Sequence, residues 1–242
     1  MFNKIMFFKR RLHKLRCRLG TSEKWLNYLR EQGMRIGNGT VIHSKPFRVQ
    51  IDQTRPWLVE IGKNVQITEG VKILTHGYDW STVKAVTGEI LGSAGKVTIG
   101  DNCFIGMNAI ILKNTTVGDN VIIGAGSVLT GGTFDSNTVV AGNPARVICS
   151  LDDYIVKRRL KQLDEAKELV TEYIAVYGKP PEKAVLSEFF WLFEKRGEIT
   201  ESSFKSQMRT MNNYDFSFEK FMQTKPMFNS YDEFINYCMN NN

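Results

Sequence analysis

Histidine is the residue type in this chain best suited to moving a proton at neutral pH, and the sequence contains three. His13 lies in a basic segment near the start, His43 lies early in a repetitive region, and His76 lies where the repetition breaks. A group that deprotonates a hydroxyl works best when its pKa is near the working pH. We therefore take His76 as the candidate general base, with a structural role in its loop as the alternative, and we expect a structural role for His43.

The elements that must position His76 form a six-residue repeat. Aliphatic residues recur at every sixth position through Ile99, Ile105, Ile111, Val117, Ile123 and Leu129, after earlier hits at Ile61, Ile67, Ile73, Ile36 and Ile42. A period of six contains the strand period of two but not the helical period of 3.6. The pattern predicts short strands that end at corners, with the aliphatic residues stacked inside a coil. A β-sandwich with coincidental spacing is the alternative, which six consecutive hits disfavour.

The corners of this coil are marked by glycine, aspartate and asparagine, as in Gly62-Lys63-Asn64, Gly100-Asp101-Asn102 and Gly118-Asp119-Asn120. These residue types tolerate the left-handed backbone that sharp corners need. The repeat breaks between Leu74 and Val97, where about twenty residues leave the coil and return. Long loops on a rigid scaffold commonly carry function, and His76 lies at the root of this one.

The repeat resembles that of the hexapeptide-repeat acyltransferases over about residues 33–150. Thr75-His76-Gly77-Tyr78-Asp79-Trp80-Ser81 is similar to the active-site segment of bacterial polysaccharide O-acetyltransferases. Ala141-Gly142-Asn143-Pro144-Ala145-Arg146-Val147-Ile148 is similar to the closing coil of the family. The resemblance implies a mainly β fold, a left-handed parallel β-helix, assembled as a homotrimer that transfers an acetyl group from acetyl-CoA.

The resemblance implies that His76 takes the proton of an acceptor hydroxyl. Asp79 is open between orienting the imidazole, binding a sugar hydroxyl and turning the loop. Tyr78 and Trp80 are candidates to stack on a sugar, with loop packing as the alternative. Asp52 is a weaker candidate to reach the acceptor, and a structural role is favoured for it.

The resemblance also places coenzyme A in the groove between neighbouring subunits. The implied cofactor-binding residues are Met107, Asn108, Ala125, Gly126, Thr130, Gly131 and Arg146. We expect no metal, because no cysteine or histidine spacing fits a zinc site and the histidines are too few for the related carbonic anhydrases. No dinucleotide fingerprint or Walker sequence is present.

The net charge of +7 is concentrated at the start of the chain. Seven lysines and arginines precede Glu23, the first acidic residue, and the remainder is balanced because the chain has 32 basic and 25 acidic residues. This distribution argues against nucleic-acid binding. Residues 1–32 are predicted to be helical, with an apolar stripe along Met1, Ile5, Phe8, Leu12, Leu15 and Leu19 and basic residues around it. Contact of residues 1–20 with an anionic membrane is one alternative, and packing of this helix on the trimer or on the β-helix of its own chain is the other.

Residues 151–242 form an aromatic-rich helical extension by composition. We predict helices from Asp152 to about Val176 and from Glu182 to Arg196, separated by Gly178-Lys179-Pro180-Pro181. The aromatic side chains are expected to pack on themselves, on the β-helix or on a neighbouring subunit, with core packing favoured over acceptor binding.

The functional hypothesis is a cytoplasmic O-acetyltransferase that acts on a sugar hydroxyl of a bacterial surface polysaccharide or its precursor. A peripheral position at the inner face of the membrane is a further hypothesis, because residues 1–20 form a basic amphipathic segment. No apolar run is long enough to span a bilayer. Two alternatives stay open: N-acetylation of an amino sugar or an antibiotic, and a non-catalytic trimeric β-helix scaffold.

Overall fold

The computed structural model describes residues 2–240, and the side chains of residues 2–8 and 10 lie outside that description. The chain forms two compact units, of which the first ends at Tyr154 and the second begins at Ile155. Short parallel strands dominate the first unit, and helices make up the second.

The strands of the first unit are short and follow one another around a coil. In chain order they are β1 Arg35–Ile36, β2 Val41–Ile42, β3 Gln50–Ile51, β4 Val59–Ile61, β5 Gln66–Ile67, β6 Lys72–Ile73, β7 Val97–Ile99, β8 Phe104–Ile105, β9 Ile110–Ile111, β10 Thr115–Val117, β11 Ile122–Ile123, β12 Val128–Leu129, β13 Gly132–Phe134, β14 Thr138–Gly142 and β15 Ala145–Ser150. The first side consists of β1, β4, β7, β10 and β13, the second of β2, β5, β8, β11 and β14, and the third of β3, β6, β9 and β12. Because every third strand returns to the same parallel sheet, the unit is a three-sided parallel β-helix.

The predicted stack of aliphatic residues is present as three ladders. Consecutive sixth positions lie on different sides, and every eighteenth position returns to the same side. The paired residues are Ile99 and Val117 on the first side, Ile105 and Ile123 on the second, and Ile111 and Leu129 on the third. All six side chains are buried. Burying an aliphatic side chain of this size stabilises a fold by about 1.5–3 kcal/mol, so the ladders supply much of the hydrophobic stabilisation of this unit.

Asparagine and glycine have different structural roles at the corners between the first and second sides. Asn64, Asn102 and Asn120 have φ of 56°, 55° and 57°, which is the predicted left-handed backbone. The side-chain amide of Asn64 donates to Asn102 Oδ1 at 3.1 Å, and that of Asn102 donates to Asn120 Oδ1 at 3.2 Å. The glycines of these corners do not have positive φ, contrary to the prediction. A Cβ on Gly100 would lie 2.6 Å from the Gly118 carbonyl carbon, so glycine is required there by the approach of the next coil.

Helices precede the coil, as the sequence predicted. Helix α1 spans Phe2–Arg18 and α2 spans Ser22–Glu31, with Thr21 Oγ1 accepting from Lys24 N at the start of α2. Trp25, Leu26 and Leu29 of α2 are buried in the same hydrophobic core as the ladders. At the other end of the coil, β15 pairs antiparallel with β14. In the predicted stripe of α1, Met1 lies outside the described residues, and so do the side chains of Ile5 and Phe8.

The second unit has an aromatic core of its own. Its α-helices are α4 Leu151–Tyr177, which begins four residues before the boundary at Ile155, α5 Ser202–Arg209, α6 Tyr214–Gln223 and α7 Tyr231–Asn240. Phe190 stacks on Phe204 with ring centroids 4.5 Å apart, and Phe193 stacks on Phe234 at 5.3 Å. Packing of the aromatic residues on themselves is thereby confirmed.

The prediction of one helix from Glu182 to Arg196 was wrong. This segment contains only two short 3-10 helices, at Lys183–Leu186 and Phe190–Leu192. Phe190, Leu192 and Phe193 are all buried, a spacing that one face of a regular helix does not provide. Core packing of these side chains therefore overrides the helical propensity of the segment.

The close approach of Gly100 to Gly118 predicts that one added methyl group destabilises the fold. We expect Gly100→Ala to lower the free energy of unfolding by about 1–3 kcal/mol, because the added Cβ would overlap the backbone of Gly118. Gly92→Ala is the matched control, since a Cβ at Gly92 meets no atom within 4 Å. Thermal unfolding of both variants measures the difference, and equal melting temperatures would contradict this account of the corner.

Candidate active site

The loop that carries His76 leaves the coil between β6 and β7. The backbone N–H of Gly95 donates to Thr75 O at 2.9 Å, and His76 and Ala94 form an antiparallel bridge. Within the loop lies helix α3, Trp80–Thr87, which the sequence pattern did not predict and in which no residue is buried. The backbone bonds therefore fix the root of the loop, and His76 lies at that root.

A carboxylate from the preceding coil holds the imidazole of His76. Asp52 Oδ2 lies 2.6 Å from His76 Nδ1, and the Asp52 side chain is only 4% exposed. The two residues are 24 positions apart in the chain, but β3 pairs with β6 so that Ile51 lies opposite Ile73. The corner that follows these paired strands therefore brings Asp52 beside the start of the loop.

The Asp52 carboxylate accepts several further hydrogen bonds. Thr75 Oγ1 donates at 2.5 Å and Thr75 N at 3.3 Å, while Thr54 N and Thr54 Oγ1 donate at 2.9 Å and 2.7 Å. Burial acts to raise the pKa of Asp52, but the hydrogen bonds from Thr75, Thr54 and His76 outweigh it and hold the pKa well below its usual range. Asp52 is therefore an ionised carboxylate at neutral pH.

The charge of Asp52 decides which imidazole nitrogen carries the proton. An ionised carboxylate can only accept hydrogen bonds, so in neutral His76 the proton lies on Nδ1 and points to Asp52. The lone pair then lies on Nε2, the atom that can take a proton from another molecule. The imidazole is 15% exposed, so it is largely fixed by its surroundings without being sealed from solvent.

The aromatic residues predicted to bind the acceptor lie next to this histidine. The Tyr78 ring meets the His76 ring edge-on with centroids 5.5 Å apart, and Trp80 lies 6.2 Å from Tyr78. Tyr78 is 70% exposed, and Trp80 is half-buried. Asp79 is exposed, and its Oδ1 lies over Gly77. The carboxylate that orients the imidazole is that of Asp52, which removes this role from the three that were open for Asp79.

The residues expected to bind coenzyme A fall into three groups by their position on the β-helix. Met107 and Asn108 share a corner with Ala125 and Gly126 on the next coil, where Gly126 N donates to Met107 O at 2.7 Å. This corner precedes the third side. Thr130 and Gly131 follow the third side, at the type of corner where His76 also lies, and Arg146 belongs to β15. Within one chain, the width of the third side therefore separates the first group from His76.

The prediction of a structural role for Asp52 missed its contact with His76. A three-residue insertion lengthens the spacing between Ile42 and Ile51 from six to nine, so Ile51 fell outside the repeat. Aligning Ile51 with Ile73 would have placed Asp52 beside the loop root.

The segment 52–58 also holds polar atoms without partners. Gln53 Oε1 and Arg55 Nη1 are buried and have no hydrogen-bond partner in the part of the chain that the structure describes. They flank Thr54, whose Oγ1 lies 3.4 Å from His76 Nδ1. These two groups are the ones next to the site that a bound molecule could satisfy.

The chain has relatives among known proteins. Residues 96–131 match the family model described as bacterial transferase hexapeptide (six repeats). Protein CapG of Staphylococcus aureus is 39% identical over 146 residues, which span 58% of this chain and 79% of that protein. The chain belongs to the hexapeptide-repeat transferase family. The family predicted from the repeat is thereby confirmed.

Solved structures of hexapeptide-repeat proteins are also similar to this chain. A maltose O-acetyltransferase from Clostridium difficile 630 is 30% identical, with a TM-score of 0.40 over 53% of this chain and 75% of that one. A hexapeptide-repeat acetyltransferase from Vibrio cholerae, in complex with acetyl coenzyme A, is 23% identical, with a TM-score of 0.43 over 57% and 82%.

Among residues 2–240, His, Cys, Asp and Glu side chains form no group of three or more that could hold a metal ion.

The depressed pKa of Asp52 predicts a pH-dependent difference in stability. The carboxylate stabilises the folded state fully above the pKa of an unfolded aspartate, about 3.9, and this contribution is lost as the pH falls toward the lower folded pKa. We expect Asp52→Asn to lower the free energy of unfolding by about 3 kcal/mol near pH 7, because Asn cannot accept from all the donors. The deficit should shrink below about pH 4, which melting temperatures over a pH series measure.

Asp79→Asn is the matched control on the same loop, where the carboxylate is exposed. It should leave the melting temperature unchanged across the series. A deficit of Asp52→Asn that stayed constant between pH 7 and pH 3 would show that the charge of Asp52 does not contribute.

Proposed function

We propose that this protein is an acetyl-CoA-dependent O-acetyltransferase that acts on a sugar hydroxyl of a bacterial surface polysaccharide or its precursor. The observation that carries the proposal is the 2.6 Å contact between Asp52 and His76 Nδ1, which leaves Nε2 as the basic atom. Membership of the hexapeptide-repeat transferase family supports the reaction class.

His76 acts as the general base in this proposal. Nε2 removes the proton from the acceptor hydroxyl as its oxygen bonds to the acetyl carbonyl carbon and the carbon–sulfur bond breaks. The proton then passes from Nε2 to the departing thiolate, so that the products are the acetyl ester and free CoA. Asp52 stabilises the imidazolium that forms in between, and a positioned base of this kind contributes about 10²–10⁴-fold to the rate.

The acyl donor is acetyl-CoA, which supplies an activated acetyl thioester. The corner formed by Met107, Asn108, Ala125 and Gly126 would line its pantetheine arm. Gly126 fits this role, because it is exposed, has φ of 69°, and a Cβ built on it would meet no atom within 4 Å. Thr130 and Gly131 would continue the path, and the exposed Arg146 would meet the nucleotide end.

The sugar acceptor would bind beside His76. Tyr78 and Trp80 offer aromatic faces beside His76, suited to the apolar face of a sugar ring. Asp79 would accept from a sugar hydroxyl. Hydroxyl transfer is favoured over N-acetylation by the similarity of residues 75–81 to polysaccharide O-acetyltransferases.

The proposed enzyme is a cytoplasmic homotrimer of left-handed β-helices. Its outward-facing side chains support contact between copies through two of the three sides. The first side is polar outside, with Arg35 and Lys96 paired to Glu60 and with Thr98 and Thr116. At the outward positions of the second and third sides, apolar residues outnumber the polar Gln50, Gln66 and Lys72. These apolar residues are Val41, Phe104, Ile122, Ile110 and Val128. Contact through these sides would place the Met107 corner of one copy near His76 of another.

Replacement of the proposed base provides the direct test. We expect His76→Ala to lower acetyl transfer by about 10²–10⁴-fold, measured as CoA release with hydroxyl-sugar and amino-sugar acceptors. His43→Ala is the matched control, since His43 Nε2 bonds Gln66 Oε1 elsewhere on the coil. Acetyl-CoA binding measured by calorimetry should survive in both variants. Unchanged turnover of His76→Ala would refute the assignment, and failure of the unaltered protein to bind acetyl-CoA would indicate a scaffold.

The outward side chains give a separate prediction about assembly. We expect the unaltered protein to have three times the mass of one chain in light scattering, and Phe104→Glu to dissociate it because a charge would be buried at the contact. Thr116→Glu places the same charge on the polar first side and should leave the trimer intact. Dissociation by both variants, or by neither, would contradict the proposed contact surface.

A further inference from the structure

Helix α1 presents a leucine stripe to solvent. Leu12, Leu15 and Leu19 are 45%, 52% and 58% exposed. Their spacing of three and four residues places them within an arc of about 60° on the helix surface. The alternative in which this stripe packs on the β-helix of its own chain is therefore wrong for these three residues.

The opposite face of α1 makes the contacts with α2. His13 Nε2 lies 3.5 Å from Glu31 Oε2, and the rings of His13 and Tyr28 are 5.7 Å apart. Cys17, one turn after His13, is buried. These two positions lie about 130° and 170° around the helix from the centre of the leucine stripe. The helix is thus attached to the protein by a face that leaves the leucines outside.

Basic residues border the leucine stripe on both sides. Lys9 and Arg16 lie along one edge, and Arg11 and Arg18 lie along the other, by the same helical geometry. The first 22 residues carry seven basic residues and no acidic one. An apolar stripe between two rows of cations is the pattern of a helix that lies in the interface of an anionic bilayer. No helix within residues 2–240 is long and apolar enough to cross a membrane.

We propose that α1 binds the surface of an anionic lipid bilayer, with Leu12, Leu15 and Leu19 inserted among the acyl chains and the flanking cations on the headgroups. Charge complementarity selects this partner over a second copy of the chain, because two such helices would repel one another. The surface does not depend on acetyl transfer, so it is tested independently of His76.

The test uses the full chain and vesicles of phosphatidylcholine with or without phosphatidylglycerol. We expect co-sedimentation with the anionic vesicles only, weakened by salt. The triple variant Lys9→Gln/Arg11→Gln/Arg16→Gln should weaken binding by about 100-fold, and Leu12→Ser/Leu15→Ser/Leu19→Ser should weaken it by more than about tenfold. Circular dichroism and melting temperature check that each variant remains folded.

A matched control lies on α4. Lys157, Arg158 and Arg159 form another basic run beside the exposed Leu160. Changing Lys157 and Arg159 to Gln and Leu160 to Ser should leave vesicle binding intact. The proposal is overturned if this control weakens binding as much as the α1 variants, or if the leucine variant changes the oligomeric mass while vesicle binding persists. Equal binding to neutral and anionic vesicles would also overturn it.

Discussion

The constraint on which the structure depends is the distance between consecutive coils of the β-helix. Backbone hydrogen bonds hold each coil directly against the next, so nothing larger than hydrogen fits at Gly62, Gly100 or Gly118. The asparagines that follow reverse the chain in the left-handed region and bond to one another from coil to coil. The ladders of isoleucine, valine and leucine then meet inside. Corners and interior thus impose the same repeat, and each reinforces the register set by the other.

That register also builds the candidate site. Asp52 and His76 belong to different coils and meet because β3 and β6 are paired without a slip. The carboxylate is buried among donors, a position that would be costly without them. The threonines on either side therefore do more than fill space: Thr54 and Thr75 keep Asp52 charged, and the charged Asp52 fixes the tautomer of His76. A chemical property of one imidazole is in this way set by strand pairing.

The sequence predicted those parts of the molecule in which a local structural requirement selects one type of residue. The six-residue period fixed the strands, the break in that period located the loop, and His76 stood out at its root. The sequence could not predict the features that depend on contacts between distant positions. The partner of His76 was obscured by the insertion before Ile51, and α3 arises in a loop without a periodic signal. The segment 182–196 lost its predicted helix because its aromatic side chains are buried in several directions at once.

The root of the His76 loop makes the β-helix structurally independent of the side chains in the loop. The bond from Gly95 N to Thr75 O closes the excursion with backbone atoms alone, and α3 buries none of its side chains. Residues between Gly77 and Ser93 can therefore be replaced, lengthened or shortened at little expense to the coil beneath. Under the proposed function, this segment can change while the Asp52–His76 pair at its base is kept. The proposed chemistry and the proposed choice of acceptor therefore depend on separate parts of the chain.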